Sequence, residues 1–240
     1  MQGEEKMAEH TVKAFDQELG DLARKIGEMG RVVEKQIAGA IGAMTSHDVE
    51  LARRVIAADA RVDAMQREIE ELAILTLARR QPMAVDLREI VGALRLVNGL
   101  ERMGDYAKNI ARRLLASEPD VGPEAALLGL KNMADLVLAA VRTVMDAFIN
   151  RDLSKALSVW RGDKAIDAAY NSLFRALLTY MMEDPRNILP CTHLLFCAKH
   201  VERIGDHATN IAEIVYYIVQ GSPLSDERPK GESSLAAVGP

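Results

Sequence analysis

The chain has 240 residues and a formal net charge of −5, with 49% hydrophobic residues but only 4% aromatic ones. The mild negative charge excludes a whole-molecule pull toward nucleic acid. The lack of any apolar run of about 18 residues excludes a membrane-spanning helix. Aliphatic side chains without many aromatics suit helix–helix packing better than β-sheets, and the length allows one large domain or two smaller ones. Glu4, Glu5 and Glu9 interrupt any leader-like apolar stretch, so the expectation is a soluble, cytoplasmic chain with no membrane insertion.

In chain order, Phe15, Leu19, Leu22, Ile26, Met29, Val33, Ile37, Ile41 and Met44 recur by fours and threes, the stripe of a long helix. Thr45–Asp48 punctuates it, and Ser46 or Asp48 can cap a second helix running to about Arg80. Gln81-Pro82 ends that helix, and a third covers roughly Val85–Ser117. Glu118-Pro119-Asp120-Val121-Gly122-Pro123 is the strongest break. Helices then follow at about 124–149, 153–183 and 187–220, broken at Asn150–Asp152 and Asp184-Pro185. The predicted class is all-α: six long helices forming two tandem, duplicated three-helix bundles, over residues 8–117 and 124–220. Residues 221–240, polar and rich in Gly, Pro and Ser, read as a disordered tail. Cys191 and Cys197 lie six apart on one predicted helix, about 9 Å along its axis, too far for a disulfide. They read as reduced core residues.

The duplication is explicit. Glu101-Arg-Met-Gly-Asp-Tyr-Ala-Lys-Asn-Ile-Ala111 returns 101 residues later as Glu202-Arg-Ile-Gly-Asp-His-Ala-Thr-Asn-Ile-Ala212, with eight of eleven positions identical. The preceding helix of each half carries a second acidic pair, Asp59/Asp63 and Asp163/Asp167, at an offset of 104.

Residues at i, i+4 and i+8 share a helix face. Glu101, Asp105 and Asn109 therefore make a row of oxygen donors, as do Glu202, Asp206 and Asn210. If the paired helices are antiparallel neighbours, Asp59/Asp63 and Asp163/Asp167 face those rows. Carboxylates gathered so closely need a cation or protons to neutralise them. Oxygen donors without Cys or His suit hard ions such as Mg²⁺, Mn²⁺, Ca²⁺ or iron. The competing interpretation is a solvated acidic face on a metal-free interaction module. A carboxylate-bridged metal enzyme is the other alternative, although no Gly-rich phosphate loop, nucleophile elbow or Glu-x-x-His pair is present, and no catalytic residue is assigned. His193, His200 and His207 project away from Glu202 and read as core or rim residues. The acidic rows extend apolar stripes (Leu87, Ile90, Leu94, Val97 and Ile188, Cys191, Leu195, Ala198) that point to a contact surface or groove. A separate stripe, Leu96, Leu100, Met103, Ala107, Ile110 and Leu114, reads as core and is matched by Cys197, Val201, Ile204, Ala208, Ile211 and Val215. Gly104 and Gly205, each costing about 1 kcal/mol of helix propensity, suit a close helix approach.

With "LERMGDYAKNIA" and "VERIGDHATNIAE", the chain resembles the PhoU family of phosphate-uptake regulators over about residues 8–220. The resemblance implies two three-helix bundles side by side, assembled as a homodimer, with acidic motifs that hold multinuclear iron or zinc in some members. It also implies a regulatory adaptor that restrains phosphate-starvation signalling and phosphate uptake. Its partners would be the ATPase component of the Pst phosphate transporter and a phosphate sensor histidine kinase, met at the cytoplasmic face of the inner membrane.

Overall fold

The structure, a computed structural model, describes residues 2–117 and 122–224, with side chains from Phe15 onward. The predicted tail beyond 224, and 118–121 of the predicted central break, lie outside the described residues. The described residues form six α-helices and no strand: α1 (Gln2–Ser46), α2 (Val49–Arg80), α3 (Ala84–Ser117), α4 (Glu124–Asn150), α5 (Leu153–Glu183) and α6 (Ile188–Gln220). A single 3₁₀ turn, Pro185–Asn187, leads into α6.

The turns repeat as faithfully as the signatures. Asp48 caps α2 by accepting from Leu51 N at 2.8 Å, and Asp152 caps α5 by accepting from Ser154 N and Lys155 N. Each cap of this kind contributes about 1 kcal/mol. Ser46, the other capping candidate, instead donates to Gly42 O of its own helix. Before each cap stands a left-handed residue, His47 (φ 56°) or Arg151 (φ 52°). The cap N–H then reaches back to Ala43 O or Ala147 O, at 3.0 Å in both halves.

Helices α1–α3 pack on one another, as do α4–α6, and the two bundles meet where α3 lies on α6 and α1 on α4. Both seam pairs are antiparallel. On α3–α6, Gly92 faces Ile218, Gly99 faces Ile211, and the Arg113 guanidinium sits 4.2 Å over the Phe196 ring. On α1–α4, Gly27 faces Ile149 and Glu34 accepts from Arg142 Nε at 2.6 Å. The halves are thus related by an approximate two-fold axis across the helices, which puts the α2–α3 and α5–α6 turns at opposite ends.

The predicted core stripe, Leu96 to Leu114 and Cys197 to Val215, is buried at every named position. Burial contributes roughly 1.5–3 kcal/mol for each large aliphatic side chain. The second stripe, expected to mark a contact surface or a groove, makes most of its contacts within the chain. Ile90, Val97, Cys191 and Ala198 are buried, and Leu94 and Leu195 pack against the core. Only Leu87 and Ile188, beside the turns, remain exposed. Three helices per bundle leave α3 and α6 little free perimeter, because each also packs across the seam.

Candidate functional site

The two signature glycines bring their helices close. A Cβ at Gly104 would stand 3.1 Å from Gln36 Oε1 and 3.4 Å from Val62, and one at Gly205 would stand 3.1 Å from Ile166. This contact sets Asp59 of α2 against the Glu101/Asp105 row of α3, and Asp163 of α5 against the corresponding face of α6.

In the first bundle the carboxylates converge on a cation supplied by the chain itself. Lys108 Nζ lies 2.5 Å from both Asp59 Oδ2 and Asp105 Oδ1. From α1, Gln36 Nε2 donates to the other oxygen of Asp59 at 3.3 Å and to Val55 O at 3.4 Å. Glu101 shares a hydrogen bond with Asp105. Burial, the Asp105 charge and that bond raise its pKa; Arg102 partly offsets them and Asp63 adds to them. Burial also pushes Asp105 upward, but the Lys108 bond and charge, helped by Glu101, win and hold it below its ordinary value. The structure therefore joins Asp59 and Asp105 through Lys108 and Glu101 to Asp105, with Asp63 near enough to act on Glu101. Asn109 is half-buried.

The second bundle solves the same problem differently. Asp163, 2% exposed, accepts from Thr209 Oγ1 at 3.0 Å, and Thr209 stands where the first repeat has Lys108. The lysine that meets this cluster, Lys199, stands one turn before Glu202 on α6. Its Nζ lies 2.7 and 2.6 Å from the two oxygens of Glu202 and 5.2 Å from the centre of the Tyr170 ring. Burial raises the pKa of Glu202, Lys199 offsets part of this, and the Asp206 and Asp167 charges raise it further. Asn210 is exposed and lines a groove of about 430 Å³ between α3 and α6, with Arg95, Asn98, Arg102 and His207.

Among the described residues no three His, Cys, Asp or Glu side chains converge on one point as a ready-made metal centre. The donors of the second cluster, Asp163, Asp167, Glu202 and Asp206, fit a hard cation by chemical type. In the first cluster the point between Asp59 and Asp105 belongs to the Lys108 ammonium, so a metal there requires that side chain to leave.

Two contributors escaped the sequence reading. Gln36 is a polar residue beside the apolar stripe of α1, and that position was the available signal. Lys108 stands three residues after Asp105, a spacing that puts it on the acidic face. The histidines are rim residues, as expected: His200 and His207 flank Tyr106 across the seam, with ring centroids 5.6 and 5.8 Å away. Burial, then Arg113 and Arg203, lowers the pKa of His200. Both cysteines are buried and free, and burial pushes the Cys197 thiol up to about 12, which keeps it unreactive.

With this geometry in hand, comparison with known proteins gives a consistent set of likenesses. The PhoU domain pattern matches residues 26–114 and again 130–215, one match per bundle. The chain is 50% identical over 231 residues to the phosphate-specific transport system accessory protein PhoU homolog of Rhizobium meliloti (strain 1021), covering 95% of this chain and 98% of that one. It is 49% identical over 226 residues to the homolog of the same name from Caulobacter vibrioides (strain NA1000 / CB15N), covering 93% and 97%. Among solved structures, PhoU from Pseudomonas aeruginosa superposes with a TM-score of 0.83 at 40% identity, covering 87% of this chain and 100% of that one. The phosphate transport system regulatory protein PhoU from Streptococcus pneumoniae gives 0.81 at 30% identity, covering 88% and 100%.

Proposed function

Because the chain belongs to the PhoU family, we propose that it is a regulatory accessory protein of phosphate transport, an adaptor rather than an enzyme. The observation that carries this is the 50% identity, end to end, with a phosphate-specific transport system accessory protein. In the fuller reading, the adaptor links the ATPase component of the Pst transporter to a phosphate sensor histidine kinase, and it restrains both uptake and starvation signalling. It works as a homodimer at the cytoplasmic face of the membrane. No helix among the described residues is long and apolar enough to cross a membrane, so membrane association runs through those protein partners.

The surface supports an adaptor role. Met83, Val85 and Leu87 are exposed at the α2–α3 turn, and Met182, Ile188 and Leu189 at the α5–α6 turn. The pseudo-two-fold puts these apolar tips at opposite ends, which suits a protein that touches two partners at once.

The acidic clusters are proposed as cation sites, each with a lysine to displace. With Lys199 moved off Glu202, Asp163, Asp167, Glu202 and Asp206 would hold a hard ion such as iron, Mg²⁺ or Mn²⁺, or the softer zinc, with Asn210 as a neutral donor. Asp59, Asp63, Glu101, Asp105 and Asn109 would do so only with Lys108 displaced. A bound ion supplies neutralising charge that ties α5 to α6.

The test is deletion of the gene, with phosphate-responsive expression followed at high and low phosphate. Expression that no longer falls when phosphate is plentiful is the expected result, and an unchanged response refutes the adaptor reading. Co-purification from membranes under both conditions, with metal content measured on the same sample, tests the partners and the ions together.

A further inference from the structure

The groove between α1 and α2 on the outer side of the first bundle has a volume of about 560 Å³. Its walls carry Arg31 and Lys35 from α1, and Arg54 and Arg61 from α2. All four are exposed, and among the described residues none of them pairs with a carboxylate. The one acidic lining residue, Glu28, is engaged by Arg24 at 2.9 Å. Four uncompensated cations around one groove are unusual for a chain of net charge −5. Like charges one helical turn apart repel.

The duplication supplies an internal control. The same groove exists between α4 and α5, with a smaller volume of about 240 Å³. At the offset of 104 residues, Lys35, Arg54 and Arg61 are replaced there by Ala139, Ser158 and Ala165, and the counterpart of Arg31 is Asp135. The bundle therefore builds this groove without any of the four cations. Their presence in the first half is not a requirement of the fold.

We propose that the α1–α2 groove binds a nucleoside polyphosphate or a closely similar phosphorylated metabolite, a site independent of the phosphate-transport role above. The volume lies within the range of small-ligand pockets, about 300–1,000 Å³. The cations stand on both walls, Arg31 and Lys35 one turn apart on α1 and Arg54 and Arg61 about 10 Å apart along α2, a span that a polyphosphate chain with its ring can bridge. Guanidinium forks bind phosphate oxygens in pairs. The floor between them is apolar, formed by Val32, Leu51 and Val55, and takes an uncharged ring. Gln36 lines this groove and also donates to Asp59 on its inner side, so an occupant touches the residue that orders the first acidic cluster.

The test is titration calorimetry of the full chain with ATP, ADP and tripolyphosphate, in EDTA so that no metal bridges nucleotide to the acidic clusters. The key variant is Lys35→Ala/Arg54→Ser/Arg61→Ala, which installs residues the second half already uses at those positions. Arg54→Ser alone is a milder companion, and urea midpoints check that both fold. Saturable ATP binding that weakens with added salt, falls about tenfold or more in the triple variant, and exceeds tripolyphosphate binding supports the site. Any one of three results overturns it: no binding of either nucleotide at millimolar concentration, unchanged affinity in the folded triple variant, or tripolyphosphate binding as tightly as ATP. Retention of the wild type on phosphatidylglycerol vesicles or on an acidic peptide, with no nucleotide binding, likewise overturns it.

Discussion

Lys108 in the first bundle and Thr209 in the second hold the same position of the repeat, and each hydrogen-bonds the buried aspartate of its own half, Asp59 or Asp163. At this position one aspartate meets a full charge and the other a hydroxyl. The two halves are therefore copies in fold that place their lysines differently, Lys108 between Asp59 and Asp105 in the first and Lys199 on Glu202 in the second.

Replacing Lys108 with Thr should make the first half behave like the second. In chelating buffer, Lys108→Thr is expected to lose about 2–4 kcal/mol, because removing one partner leaves a buried charge uncompensated. Urea unfolding measures this, and added Mn²⁺ should restore part of the loss while raising the Mn²⁺ content found by elemental analysis. A variant as stable as wild type in chelator would show that Lys108 contributes nothing.

Glu101 offers the opposite sign. Its folded-state pKa is raised above 4.5, by burial first and by Asp105 next. A raised carboxyl contributes stability below its unfolded pKa and loses it as pH rises through the folded value. The ionised side chain is thus a burden near neutrality. Glu101→Gln keeps a donor toward Asp105 and should raise the Tm by about 2–4 °C near pH 7. The gain should vanish near pH 4, where the wild-type carboxyl is protonated. Thermal melts at the two pH values decide it.

His200 sets an acid limit. Its pKa is held below 6.5 by burial, then by Arg113 and Arg203. A depressed imidazole contributes stability above its unfolded pKa, and that contribution is lost as pH falls through the folded value. Wild-type stability should decline between about pH 7 and pH 5. His200→Phe, which retains a ring against Tyr106, should decline less steeply in urea titrations over the same range. Parallel slopes would remove His200 from the account.

The seam should resist the smallest enlargement. A Cβ at Gly92 would fall 2.6 Å from both Cγ1 and Cδ1 of Ile218. Gly92→Ala is expected to cost about 1–3 kcal/mol by overpacking. Ile218→Ala in the same chain should recover part of that loss, so the pair should be non-additive in a double-mutant cycle. Additive losses would mean that the two helices shift apart instead.

Much of the architecture was legible in one dimension. Leu96, Leu100 and Met103 announce a buried helix face by spacing alone, and Ser46 and Asp48 announce a cap for α2, because both depend on residues within one or two turns. The paired signatures announced the duplication for the same reason. Gln36 and Lys108 were not read as members of the acidic cluster. Gln36 belongs to α1, 23 residues before Asp59, and Lys108 reaches a carboxylate 49 residues earlier. The second apolar stripe pointed to a contact surface or a groove without saying what covers it, for a related cause: its burial depends on helices from elsewhere in the chain.

The sequence by itself determined that the chain is helical, duplicated and marked by the signatures of its family, since helical periodicity and repetition are local properties. Only the tertiary structure decided that α3 and α6 run antiparallel, that Asp59 meets a lysine where Asp163 meets a threonine, and that four cations of α1 and α2 line one groove. Those outcomes depend on which distant side chains share a space, and the free energy of a charge is set by its neighbours in space.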